Sequence, residues 1–202
     1  MKSVSILSAL LILAALSPLQ AAPHYGYASP PMHAHSMEQV GPGQVLREGM
    51  GKLLKFMRQS DRPNQQAIAA FLQSEIAPYF DFAYMSQWVA GPMNRRMNDQ
   101  QRMELAQSVK QMLLSTLAKR LTSYENQDVR FYPPRRAGEN EVKVRVAILQ
   151  AGGYPANLDF RFYRSVNGWK VFDVAANGSS ALSYYRQHFS RKMSARQGMP
   201  RR

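Results

Sequence analysis

The sequence predicts an α+β fold, with N-terminal helices packed on a four-stranded antiparallel sheet and one C-terminal helix closing the chain. Three observations carry this. Apolar residues recur at helical spacing from Gln44 to Tyr124. The period then changes to alternation, in runs cut by Pro, Gly and Asn. A last helical segment follows, from Ser180 to about Arg191. A length of 202 residues suits one such domain with appendages.

Residues 1–22 read as a cleavable secretory signal peptide. Lys2 supplies the positive end, Val4 to Leu16 an apolar run too short to cross a bilayer, and Pro18, Ala21 and Ala22 the cleavage region. No basic stop-transfer flank follows, which argues against a retained anchor, and no Cys follows for lipid attachment. Residues 23–43, PHYGYASPPMHAHSMEQVGPG, read as a disordered His/Pro-rich spacer. His24, His33 and His35, beside Met32 and Met37, are ligand types that suit copper or nickel. Nothing fixes a coordination geometry there, so no metal site is expected.

The chain has no Cys, so the fold is expected to hold by its core without disulfides or thiolate metal sites, which suits the periplasm. The formal charge of +13 falls by one if Lys2 leaves with the signal. Such an excess points to an acidic partner: nucleic acid, an anionic membrane or an acidic protein. Export makes nucleic acid the poorest fit of the three, and none is expected.

Residues 44–191 form the expected domain. QVLREGMGKLLKFMRQS places Val45, Leu46, Met50, Leu53, Leu54 and Met57 on one side of a helix and Arg47, Lys52, Lys55 and Arg58 elsewhere. That pattern suits a helix covering a core better than one lying on a membrane. Asp61 is expected to cap the next helix, whose stripe is Ala67, Ile68, Phe71, Leu72 and Ile76 and which Pro78 ends. A short apolar helix follows, closed by Gly91 and Pro92. The longest helix starts at the cap Asn98, with a stripe of Leu105, Val109, Met112, Leu113, Thr116, Leu117 and Leu121.

Asp128 to Tyr132 reads as the first strand, stopped by Pro133 and Pro134. EVKVRVAIL puts Val142, Val144, Val146 and Ile148 on one face. LDFRFYRS and GWKVFDVA are the third and fourth strands, joined by the hairpin signal Val166-Asn167-Gly168. Residues 192–202 are a basic tail, read as frayed.

Catalytic groups are hard to assemble from these residues. His188 is the only histidine of the folded part, with Ser180, Ser183 and Asp173 near it in sequence. Ser180 and His188 would lie about two turns, roughly 12 Å, apart along one helix, beyond hydrogen-bond reach. Asp159 and Asp173 read as cross-strand partners of Arg161 or Arg164. Neither AGG nor NGSS makes a phosphate-binding loop. No catalytic constellation emerges, and the chain does not read as an enzyme. What remains is a surplus of large apolar side chains, among them Phe80, Phe160, Phe162, Trp169 and Phe172. They either fill an ordinary core, which composition alone favours, or wall a ligand cavity.

Three segments carry a resemblance: FDFAYMSQWVAG followed by DQQRMELAQSVKQMLLSTLAKRL; FYPPR, VKVRVAIL and PANLDFRFYR; and WKVFDV with Gly178, Ser180 and Tyr185-Arg186 ahead of Phe189. In order and spacing they resemble the periplasmic phospholipid-binding family MlaC, also called the toluene-tolerance auxiliary component, over most of the chain from about Val45 to Phe189. The resemblance implies an α+β lipid carrier with an apolar cavity between the layers. Its cargo is a phospholipid, with no cofactor. It would pass lipid between an outer-membrane lipoprotein complex and an inner-membrane ABC transporter, as a monomer making transient contact with membrane surfaces.

Phe80, Asp81 and Phe82 match the family's FDF motif, and Trp169, Asp173, Gly178 and Ser180 its terminal strand-to-helix turn. Asn94 stands where an aromatic is usual, and Ala176, Ser179 and Ala181 where larger apolar residues are usual. These departures fit either an enlarged or reshaped cavity or a branch with a different lipid-like cargo. The His/Met spacer is not a family feature.

On this reading the acyl chains are expected to meet Leu113 and Leu117 from the long helix. From the sheet they would meet Val144, Val146, Ile148, Phe160, Phe162 and Val171. Arg145, Arg161, Arg164 and Lys170 are expected at the headgroup or at a partner. Two alternatives stay open: an enzyme using Asp159, Asp173 or His188 inside a cavity, and a metal-binding or adaptor protein working through the spacer.

Overall fold

The computed structural model describes residues 40–59 and 63–197, with side chains through 191. The span read as a signal peptide, the histidines of the span read as a spacer, the expected cap Asp61 and residues 198–202 lie outside the described residues.

Helix α1 runs Pro42–Gln59 and so includes the last two residues of the span read as spacer. Helix α2, Gln65–Phe71, is capped by Asn64, whose side chain accepts from the Ala67 N–H at 2.8 Å. The helical path continues as a π turn, Leu72–Ile76, and a 3₁₀ turn, Ala77–Tyr79, with Pro78 at its start. Ile68, Leu72 and Ile76 are buried along one line, whereas Ala67 is exposed. Helix α3, Phe82–Ala90, is capped by Asp81, which accepts from the Tyr84 N–H. It ends at Gly91 with φ of +56°, a conformation glycine adopts at little cost.

Helix α4, Asp99–Leu121, starts with a full capping box between Asn98 and Gln101, as the position of Asn98 suggested. Its buried residues are Val109, Leu113, Leu114 and Ala118, while Thr116 is exposed.

The sheet has six strands rather than four: β1 Val129–Phe131, β2 Arg135–Arg136, β3 Glu141–Ile148, β4 Ala156–Ser165, β5 Gly168–Ala176 and β6 Ser179–Ser180. Pairing is antiparallel in the order β1-β3-β4-β5-β6, with β2 also on β3. The two extra strands are two residues long, too short to show a period. Strand β6 follows the Asn177-Gly178 turn, where both residues have positive φ, as a type I′ hairpin requires.

Near its start, β5 is met by Phe80, which bridges Val171, and the Asp81 N–H donates to the Val171 carbonyl at 3.0 Å. The exposed edge of the sheet is thereby paired at both ends of that strand. Helix α5, Ala181–Gln197, extends past Arg191.

A bulge at Phe172 sorts the two faces. Arg161 pairs with Asp173 and Phe162 with Val171, leaving Phe172 unpaired between them. One face therefore carries Leu158, Phe160, Phe162 and Val171. The other carries Arg161, Tyr163 and Phe172, against Tyr84 and Trp88 of α3. Phe162 and Phe172 are both fully buried, back to back across the sheet.

Candidate functional site

The face with Phe160 and Phe162 does not meet its covering helix tightly. Between the two lies a cavity of about 130 Å³. Helix α1 is its roof: Val45, Leu46, Met50, Leu53, Leu54 and Met57 point in, with Gly49 between them. Leu72, Ile76 and Phe80 line one side, and Leu117 and Leu121 of α4 contribute to the wall. The floor is Val129, Ile148, Leu158, Phe160, Phe162 and Val171.

Among the described residues, Tyr79 and Tyr124 are the lining residues that bring a side-chain oxygen or nitrogen, and both hydroxyls are engaged. Tyr79 Oη donates to Glu48 Oε1 (2.8 Å) and Tyr124 Oη to the Gln127 carbonyl (3.2 Å). Burial, then the bond to Glu48, raises the Tyr79 pKa above the usual phenol value. Among the described residues the lining is aliphatic, thioether and aromatic apart from those two hydroxyls.

The roof is held at a few points. Phe56 stacks on Phe71 with ring centroids 4.2 Å apart. Lys52 Nζ lies 3.6 Å from Glu48 and 3.9 Å from Glu75. Gly43 comes so close to the Pro134 ring that a Cβ there would lie 2.9 Å from Cγ. At Gly49 an added Cβ would sit 3.4 Å from the Tyr79 ring, so the glycine lets that ring lie against the helix.

Of the eight residues expected at the acyl chains, Leu117, Ile148, Phe160, Phe162 and Val171 line the cavity. Leu113, Val144 and Val146 do not; they are buried in the surrounding core. The cross-strand partners of Val144 and Val146 are Phe160 and Leu158, larger side chains that do reach the void. Leu113 lies one turn before Leu117 on α4, among the residues that α4 buries against its neighbours. The contribution of α1 was visible in its stripe, but that stripe had been assigned only to covering a core.

The four basic residues separate into two groups. Arg145 and Arg161 point from the opposite face of the sheet. Arg145 makes a two-pronged contact with Asp159 (2.7 and 2.8 Å), holding that carboxyl below its usual range. Arg161 bonds Glu141 (2.9 Å), lies 3.6 Å from Asp173 and stacks 4.6 Å over Phe172. Arg164 follows Phe162 on the cavity face by strand alternation, and Lys170 Nζ donates to the Pro78 carbonyl at 2.7 Å.

Two of the residues considered for catalysis, Ser180 and Asp173, bond each other, and His188 is not part of that contact. Ser180 Oγ donates to Asp173 Oδ2 (2.8 Å), while Asp173 Oδ1 accepts the Leu182 N–H (3.2 Å). These contacts fasten the start of α5. His188 borders a surface depression with Tyr184, Gln187 and Arg191. Asp81 accepts from Tyr163 Oη as well as capping α3, which gives the FDF segment a structural task. Asn94, Ala176, Ser179 and Ala181, the departures from the family pattern, lie away from the cavity lining.

A family model described as MlaC protein matches residues 47–200. The fold is similar to that of the phospholipid-binding protein from Ralstonia solanacearum, solved in complex with a phospholipid. The two chains share 26% identity at a TM-score of 0.68, over 76% of this chain and 88% of that one. No curated protein matches the sequence. The family match begins within the roof helix and extends through the sheet and all of α5, and the chain belongs to the MlaC family.

Proposed function

We propose that this protein is a periplasmic phospholipid carrier. It would shuttle lipid between an outer-membrane lipoprotein complex and an inner-membrane ABC transporter, maintaining outer-membrane lipid asymmetry. The observation that carries the reading is the cavity whose lining side chains are apolar apart from two outward-bonded tyrosine hydroxyls. Each methylene of an acyl chain costs about 0.8 kcal/mol to keep in water, so a soluble carrier needs an oily interior and no reactive group. Membership of the MlaC family and the likeness to a structure holding a phospholipid support the same cargo.

The cavity volume, about 130 Å³, is close to that of an engineered void of about 150 Å³ that takes benzene. An acyl chain is much longer, so loading requires the cavity to widen. Helix α1 is the wall to move. It lies at the start of the domain and spans the length of the cavity, whereas the floor is tied by strand pairing.

Native mass spectrometry of the full mature chain tests the reading. A co-purifying lipid, or uptake of added phospholipid, is expected. Leu117→Trp should remain folded by circular dichroism and retain much less lipid, because the indole occupies the cavity. A wild-type protein that neither carries nor takes up lipid refutes the carrier.

A further inference from the structure

The β4–β5 hairpin ends in Val166-Asn167, and Val166 is 101% exposed. The tip is braced. Ser165 Oγ donates to the Gly168 carbonyl (2.8 Å) and accepts the Asn167 N–H (3.1 Å). Gly168, paired with Ser165 across the two-residue loop, closes the turn at φ of +93°, a conformation glycine adopts at little cost. A valine is therefore held out in water by a defined turn.

Behind the tip, the cavity floor continues outward. Arg164 follows Phe162 on the same face and pairs across the hairpin with Trp169. One flank borders a depression shared with Val40, Val45 and Tyr79, the other a depression shared with Phe80 and Phe82. Val45, Tyr79 and Phe80 also line the cavity. The tip and one end of the cavity thus belong to a continuous surface.

Among the described residues, Arg164 and Lys170 make no ion pair. The neighbouring carboxylates have other partners: Glu48 with Tyr79 and Lys52, Asp81 with Tyr163 and the Tyr84 N–H. Asp81 keeps its charge, since both of its partners are neutral, and the two cations of the hairpin act on a chain whose formal charge is +13.

We propose that the β4–β5 hairpin docks on anionic bilayers: Val166 enters the interfacial layer while Arg164 and Lys170 meet lipid phosphates, bringing one end of the cavity to the lipid. An apolar tip with flanking cations suits that interface. A stable protein interface takes roughly 800 Å² from each partner, far more than a two-residue tip presents. The use of this contact rests on the carrier reading, but the contact itself does not need a loaded cavity.

The test is co-sedimentation of the full mature chain with vesicles of phosphatidylcholine alone, and of phosphatidylcholine containing phosphatidylglycerol. The wild type should favour the anionic vesicles. Arg164→Gln with Lys170→Gln should weaken that partitioning about fivefold for each charge removed, and Val166→Asp by at least as much. Arg95→Gln with Arg96→Gln removes two exposed charges from the 3₁₀ segment Gly91–Arg96 and should have a much smaller effect.

An equal loss in that control, unchanged binding of the hairpin variants, or equal binding to both vesicle types overturns the proposal. So does a hairpin that binds an acidic protein partner while its substitution leaves vesicle binding intact. Native mass spectrometry read in parallel separates the two ideas. Val166→Asp should keep its lipid while losing vesicle binding. A wild type without lipid that still docks through the hairpin defeats the carrier reading alone.

Discussion

Asp159 shows how single side chains divide the labour of this sheet. It sits on the face away from the cavity, and its pKa is lowered first by the hydrogen bonds from Arg145. An acid whose folded pKa lies below its unfolded value, about 3.9, stabilises the fold above that value. The contribution disappears as pH falls through the unfolded and then the folded pKa. The urea midpoint of the wild type should therefore drop more steeply below about pH 4 than that of Asp159→Asn, with the two curves converging in acid. Parallel curves from neutral pH downward would deny the pair a part in stability.

At the scale of elements, α1 contains two glycines with opposite expectations. Gly51 faces open space, so Gly51→Ala should raise stability by about 0.5–1 kcal/mol through helix propensity. At Gly43 an added Cβ would press on Pro134 at 2.9 Å, so Gly43→Ala should lower the melting temperature. Thermal unfolding of the two variants measures both signs.

This helix also marks where the sequence stopped being informative. Its stripe of Val45, Leu46, Met50, Leu53, Leu54 and Met57 identified the inward side. A periodic pattern cannot say whether that side meets protein or a gap. Strands β3 and β4 were legible from their alternation, and β5, which the bulge at Phe172 interrupts, from its apolar run after the hairpin signal. Strands β2 and β6 had no length in which to repeat. Val144 and Val146 were read onto the correct face, but which side chain on that face reaches the void depends on its size and on its neighbours across the strand pair. Arg145 and Arg161 were expected at a headgroup or partner, while their engagement by Asp159 and Glu141 depended on pairing register.

The whole molecule must open to do what we propose. Lys52 Nζ and Glu75 Oε2 lie 3.9 Å apart, both side chains about half exposed, and the chain has no native cysteine to interfere. Lys52→Cys with Glu75→Cys, bridged by a short thiol cross-linker, would fasten α1 to the π turn beneath it. The bridged protein should stay folded and exchange lipid far more slowly with added vesicles. The same double variant without cross-linker should exchange at the normal rate. Undiminished exchange in the bridged form would show that the opening lies elsewhere.

The cavity is enclosed by parts from opposite ends of the domain: Val45 comes near its beginning, Val171 near its end, and both touch the same space. Until the strands have formed, the first helix has an oily side and no floor to rest on. Non-local closure of this kind is slow compared with local helix formation. The newborn protein therefore passes through a stage in which the future cavity lining is open to water and to chance aggregation. A product cut short before β5 could never complete the compartment, however well its helices formed.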